Sequence, residues 1–147
     1  MSLPVIWSIA GTDSAGGAGL AADQRAADAL GVHLCPVVAA VTAQHSRAVT
    51  RVEPVAPALL EAQLEALAED LPPRVVKTGL LGSAEHVHAV ARWIDRLREA
   101  GPVALVVDPV LAASTGRGFA DDAALAAYRD ELLPRATLAT PNRREAE

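Results

Sequence analysis

Apolar runs rich in β-branched residues alternate along the chain with segments in which leucine, valine or alanine returns every three or four positions. The first pattern predicts buried strands and the second amphipathic helices. Strands are expected at Pro4 to Ala10, Leu34 to Val41, Val75 to Thr78, Val103 to Val107 and Leu138 to Thr140, with a short extended piece at Thr50 to Pro54. Helices are expected at Gly19 to Leu30, Pro57 to Leu71, Ser83 to about Glu99 and Asp121 to Leu133. Leu60, Leu64, Leu67 and Leu71 share one helical face, and Pro72-Pro73 stops that helix. Val87, Val90, Ile94 and Leu97 form the stripe of the next. Successive βα units of this kind predict an α/β fold, a mostly parallel sheet with helices on both faces. No repeat or linker divides residues 1–147, which read as a single domain. "TLATPNRREAE" reads as a strand, a proline turn and the start of another helix, so the expectation is an incomplete domain whose C-terminal part is missing.

Composition narrows the classes. Hydrophobic residues are 51% of the chain and aromatics only 3%, which suits helices on buried parallel strands better than an aromatic-rich sandwich. The net charge of -5, without a basic run, argues against a nucleic-acid partner. Cys35 is the only cysteine, which excludes an internal disulfide and fits a reducing compartment; it is expected to be a buried small hydrophobe. No apolar stretch approaches the roughly 20 residues of a membrane helix, and the N-terminus lacks a charged n-region. A cytoplasmic protein with no membrane partner is the expectation.

The chemistry concentrates in "SIAGTDSAGGAGLAADQRAADALG". Gly11 and Gly16 have P-loop spacing, but Gly17 and Ala18 stand where lysine and Ser/Thr must meet phosphate and magnesium. Gly17-Ala18-Gly19-Leu20-Ala21-Ala22 matches a dinucleotide fingerprint, yet no acid lies between Asp28 and Glu53 to take a ribose. The plain alternative is a tight strand-to-helix turn. Against it stands Asp23, an acid near the start of an apolar helix, beside a loop at a strand's C-terminal end, where α/β sheets bind ligands. Its carboxylate can accept hydrogen bonds from an amine or hydroxyl of a small polar molecule.

"AGTDSAGGAGLAAD", "AAVTAQHS", "KTGLLGS", "VVDPVLAASTG" and "TPNRREAE" occur in the order and at the spacings of a known family. From about Val5 to Glu147 the chain resembles the hydroxymethylpyrimidine/phosphomethylpyrimidine kinases of thiamine biosynthesis, in the ribokinase-like superfamily. The resemblance implies a kinase that moves the γ-phosphate of ATP, with Mg2+, to 4-amino-5-hydroxymethyl-2-methylpyrimidine and then to its monophosphate, and it implies a homodimer. Pyridoxal kinase is the nearest enzymatic rival, disfavoured by Gln44 after "VTA"; a non-catalytic small-molecule binding module is the rival from another class. Members of the family continue with more strands and a glycine-threonine-glycine-cysteine anion hole, so this chain alone is expected to be inactive and its catalytic base cannot be assigned.

By the same resemblance Gly11, Ala18, Asp23, Gln44, Leu80 and Val107 line the pyrimidine, with Asp23 and Gln44 reading the ring edge. Core packing is the ordinary reading of Leu80 and Val107, and a solvated loop that of Gln44. Asp108, Asn142 and Glu145 bind the nucleotide, with Asp108 and Glu145 toward the metal; packing poorly explains Asp108 at a buried strand's end, whereas Glu145 is also an ordinary first-turn charge. The chain departs from many relatives in having Leu80 for methionine and Ser114 for lysine. Lys77 reads as structural or solvated, and His86 and His88, two apart on a helix, do not make a metal pair.

Overall fold

The computed structural model describes residues 3–111 and 120–146; Ser114 lies outside them. Six strands form one sheet in the order β3-β2-β1-β4-β5-β6. They are β1 (Val5–Gly11), β2 (His33–His45), β3 (Ala48–Pro54), β4 (Val75–Thr78), β5 (Ala104–Val107) and β6 (Leu138–Ala139). All neighbours pair in parallel except β2 and β3, which form an antiparallel hairpin at the edge. The helices are α1 (Gly19–Leu30), α2 (Pro57–Asp70), α3 (Ala84–Ala100), α4 (Asp122–Ala127) and α5 (Arg143–Ala146).

Successive residues of a strand point to opposite faces, and β1 shows both layers at once. Trp7 turns to one face and donates its indole N–H to the Leu71 carbonyl at the end of α2 (2.8 Å). Ser8 turns to the other and donates to Asp23 of α1 (2.6 Å). The first face carries the main core, in which Trp7, Ile9, Val37, Val76, Leu105 and Val107 meet Leu60 and Leu64 of α2 and Val87, Val90 and Ile94 of α3. On the second face α1 lays Leu20 and Ala27 over β1 and β2. The expected helix layers on both faces are therefore present.

Ser83 caps α3 by accepting from the His86 N–H (3.2 Å), as its place before the apolar stripe predicts. His86 itself is fully buried, its ring nitrogens against the carbonyls of Leu81 (2.6 Å) and Val55 (3.0 Å). His88 instead meets Glu131 (2.9 Å), so the two histidines serve different partners. Cys35 is buried, and burial raises its thiol pKa.

Three boundaries depart from the sequence pattern by more than one residue. β2 continues four residues beyond Val41, because its outer half pairs with β3 and needs no second neighbour. β3 begins at Ala48 rather than Thr50 for the same reason. The helix expected over Asp121 to Leu133 stays α-helical only to Ala127, then widens into a π-turn at Tyr128–Leu132 and tightens into a 3-10 turn at Leu133–Arg135. Pro134 lacks the N–H that would carry the α-ladder onward. The widened turn buries both Tyr128 and Leu132.

The core placement yields a prediction. Leu64→Ala removes a fully buried side chain and should cost about 2–5 kcal/mol, whereas Leu125→Ala, at a position 39% exposed, should stay within about 0.5 kcal/mol. Urea unfolding with an unchanged slope separates the two; equal midpoints would contradict this core.

Candidate functional site

The glycine turn is built around one acid that the sequence motifs pass over. Asp13 accepts from Ala15 N (2.8 Å) through Oδ1 and from Gly17 N (2.9 Å) and Ala18 N (2.8 Å) through Oδ2. Its backbone carbonyl takes Gly16 N (2.9 Å), so four consecutive amides before α1 all point at Asp13. Desolvation raises its pKa, but the backbone hydrogen bonds and a further one from the Gln44 side chain outweigh it, and the carboxyl lies below its usual value. A phosphate loop leaves such amides for its ligand. Here the Asp13 carboxylate has taken three of them and its main-chain carbonyl the fourth, which gives a structural reason why the P-loop and dinucleotide patterns fail.

Gly19 starts α1 with φ +57°, and a Cβ there would sit 2.4 Å from the Gly11 carbonyl oxygen. Only glycine tolerates both demands. Gly11 is buried at the end of β1 and Ala18 is the exposed residue before α1. The turn is also fastened to β2. Thr42 N donates to Thr12 Oγ1 (3.1 Å) and Thr42 Oγ1 to the Thr12 carbonyl (2.7 Å). Ser14 Oγ donates to the Gln44 carbonyl and accepts from Gln44 N, both at 2.8 Å. Gln44 is thus held in a strand rather than in the loop the sequence suggests, beside a register shift between Ala43 and Gln44.

Asp23 lies one turn into α1, above β1 and β4. Lys77 Nζ donates to both of its oxygens at 2.8 Å, and Ser8 Oγ to Oδ2. Lys77 was not among the expected site residues. Leu80 is half-buried in the loop after β4, 3.1 Å from where a Cβ on Gly11 would stand. Val107 is fully buried in the main core at the end of β5.

Asp108 follows β5, its N–H bonded to the Thr78 carbonyl (3.0 Å). Desolvation raises its pKa; Lys77 opposes that, while Glu145 and Asp23 add to it. Asn142 and Glu145 form a capping box at α5: Asn142 Oδ1 accepts from Arg144 N (2.9 Å) and Glu145 N (3.1 Å), and Glu145 Oε2 accepts from Asn142 N (2.9 Å). The N-x-x-E spacing therefore has a local structural cause in addition to any ligand. Beneath this end Tyr128 is buried and its phenol pKa is raised well above normal, chiefly by desolvation. Among the described residues no group of three or more His, Cys, Asp or Glu could hold a metal ion. Asp108 and Glu145 are both hard oxygen donors, the ligand type that a partly hydrated Mg2+ takes, and the like charge of Glu145 raises the Asp108 pKa.

Gly11, Leu80 and Asp108 lie at or just past the C-terminal ends of β1, β4 and β5, Gln44 lies near the end of β2, and Asp23 lies over Ser8 and Lys77 of β1 and β4; the C-terminal edge is where open α/β sheets bind ligands. A sequence profile of the phosphomethylpyrimidine kinase family matches residues 13–147. The chain belongs to that family. It is similar to a hydroxymethylpyrimidine/phosphomethylpyrimidine kinase from Synechococcus elongatus, 46% identical over 147 residues, which are 100% of this chain and 54% of the relative. A crystal structure of phosphomethylpyrimidine kinase from Clostridium difficile matches with a TM-score of 0.88 and 36% identity over 98% of this chain and 61% of that one. Pyridoxal kinase from Staphylococcus aureus in complex with pyridoxal matches with a TM-score of 0.84 and 30% identity, over 99% of this chain and 53% of that one. The fold is the ribokinase-like one, and the chain spans about half the length of its curated kinase relatives.

The Asp13 network predicts a pH signature. Asp13→Asn should lower stability by about 1 kcal/mol at pH 7, in the range of lost helix-cap acceptors. A depressed folded-state pKa gives stability that is present above the unfolded value and lost as pH falls through the folded one. The gap between variant and unaltered chain should therefore close below about pH 3.9. Thermal unfolding against pH measures it, and a gap independent of pH would remove the ionised carboxylate from the turn.

Proposed function

We propose that the chain carries the pyrimidine wall and the metal-facing acids of a kinase that phosphorylates 4-amino-5-hydroxymethyl-2-methylpyrimidine, and then its monophosphate, in thiamine biosynthesis. What supports this reading is the family match together with Asp23 over β1 and β4, whose partner Lys77 lies on the strand next to the one that Asp108 follows. Gln44 and Asp23 offer an amide and a carboxylate to a ring edge that presents acceptor nitrogens and a donor amine. Gly11, Ala18 and Leu80 shape the apolar side, and Val107 backs it from the core.

In the first phosphorylation the bond between the γ-phosphorus and its bridging oxygen in ATP breaks, ADP leaves with that oxygen, and a new bond forms to the substrate hydroxymethyl oxygen, whose proton passes to solvent. Asp108 and Glu145 would hold Mg2+, and Asn142 fixes Glu145 through the capping box. When bound, the ion neutralises charge on the phosphates. Phosphoryl transfer depends mostly on such positioning and charge neutralisation. The same reading makes the protein cytoplasmic and dimeric; no helix among the described residues is long and apolar enough to cross a membrane.

Pyridoxal is the competing substrate, favoured by the match to a pyridoxal-bound relative. Calorimetric titration of the chain with the hydroxymethylpyrimidine and with pyridoxal decides between them: tighter binding of the pyrimidine is expected, and preference for pyridoxal would overturn the assignment. Binding of neither would overturn the small-molecule site itself.

Gln44→Ala should weaken pyrimidine binding by about 1–3 kcal/mol, the cost of leaving a buried polar group unpaired, with ATP binding unchanged. Unaltered pyrimidine affinity would take Gln44 out of the site. Asp108→Asn and Glu145→Gln should each weaken Mg2+ binding and leave pyrimidine binding intact, since each removes negative charge from the metal end. Titration with Mg2+ alone reads this, and unchanged Mg2+ affinity in both variants would refute the metal assignment.

A further inference from the structure

Register places Ser8 of β1 directly beside Lys77 of β4, on the face that α1 covers. Asp23 comes down from α1 onto this pair. The carboxylate has about four lone-pair sites, and three are engaged: two by the Lys77 ammonium at 2.8 Å and one by the Ser8 hydroxyl at 2.6 Å. Both ionic side chains are largely withdrawn from water, at 28% exposure for Lys77 and 18% for Asp23.

This arrangement is more specific than a surface ion pair. A lone carboxylate at that depth would rotate, draw in a cation or give up its charge, because a partly buried charge needs a partner. With Lys77 across both oxygens its plane is fixed and its charge is balanced. One acceptor direction then remains for a ligand.

We propose that Lys77 is a positioning residue of the pyrimidine site: it orients Asp23 and balances its charge, so that the wall accepts a neutral amine or hydroxyl donor rather than a cation. The inference rests on the function proposed above and adds a residue and a selectivity to it. Lys77 lies on β4, the neighbour of the strand that Asp108 follows, and its charge lowers the Asp108 pKa against the desolvation that raises it.

The test uses the chain with Lys77→Met, Lys77→Gln, Lys77→Arg, Asp23→Asn and the double variant Lys77→Met/Asp23→Asn. Each is titrated calorimetrically with 4-amino-5-hydroxymethyl-2-methylpyrimidine, and each thermal midpoint is recorded. Lys77→Met and Asp23→Asn should each raise Kd about tenfold, the scale of one polar contact left unmade. The double variant should lose little more, because the two residues act as a unit. Lys77→Arg restores the cation and should recover most of the affinity. A packing role would lower the midpoint while leaving the affinity of the folded chain unchanged, and that result overturns the proposal. If Lys77→Met does not fold, Lys77→Gln decides, since it keeps a donor and drops the charge; wild-type affinity there also overturns it.

A second readout needs no ligand. In lysine-labelled protein the Lys77 ammonium should give an NMR signal protected from solvent exchange, and Asp23→Asn should abolish it. An unprotected signal in the unaltered chain refutes the positioning. Failure of the unaltered chain to bind the pyrimidine defeats the functional reading and this inference together, whereas wild-type affinity in the Lys77 variants defeats the inference alone.

Discussion

The missing side chain at Gly19 is the constraint from which the rest of the site follows. α1 begins so close to the end of β1 that a single added carbon would collide with the Gly11 carbonyl oxygen. That approach brings the second turn of α1 down onto the sheet, and Asp23 thereby reaches Ser8 and Lys77 on two neighbouring strands. A helix displaced outward by a few ångströms would leave the same acid facing solvent. The local geometry of one turn thus decides the electrostatic character of a wall built from three separate elements.

The parallel register does the complementary work. β1, β4 and β5 end nearly level, Ile9 beside Thr78 and Thr78 beside Val107, so the residues that follow them emerge at one edge. Alternation then sorts them. Thr78 and Val107 turn into the main core, while Lys77 belongs to the α1 face and Asp108, next after Val107, stays half-buried at the rim. On the other side the antiparallel hairpin carries Gln44 beyond the parallel part of the sheet, and Thr12 and Ser14 tie it back to the glycine turn.

The elements were largely legible in the sequence because burial imposes periodicity. Pro57–Asp70 and Ala84–Ala100 follow their leucine and valine stripes, and Val75–Thr78 was bounded as the apolar run suggests. The outer half of β2 was not, because "TAQH" has an exposed, polar pattern and is a strand only through its partner. The π-turn after Ala127 keeps the helical spacing of apolar residues, so periodicity could not reveal it. The site divides in the same way. Asp23, Gln44 and Asp108 are candidates that motif and place single out. Asp13 was missed because its partners are backbone amides, which leave no trace in side-chain pattern. The Lys77–Asp23 pair leaves no sequence signal because the two residues lie 54 positions apart and meet only through the β1-β4 pairing.

The amides held by Asp13 also give the site a direction. Ala15, Gly16, Gly17 and Ala18 all donate to that residue, so an anionic group arriving at the glycine turn meets a carboxylate instead of open donors. A molecule that is neutral at one end and anionic at the other would be repelled tail-first and admitted ring-first. On the proposed function, a monophosphate bound for a second phosphorylation would then lie along the same axis as its unphosphorylated precursor, its charge turned away from the turn. The loop would act as a polarity filter, sorting ligands by which end leads.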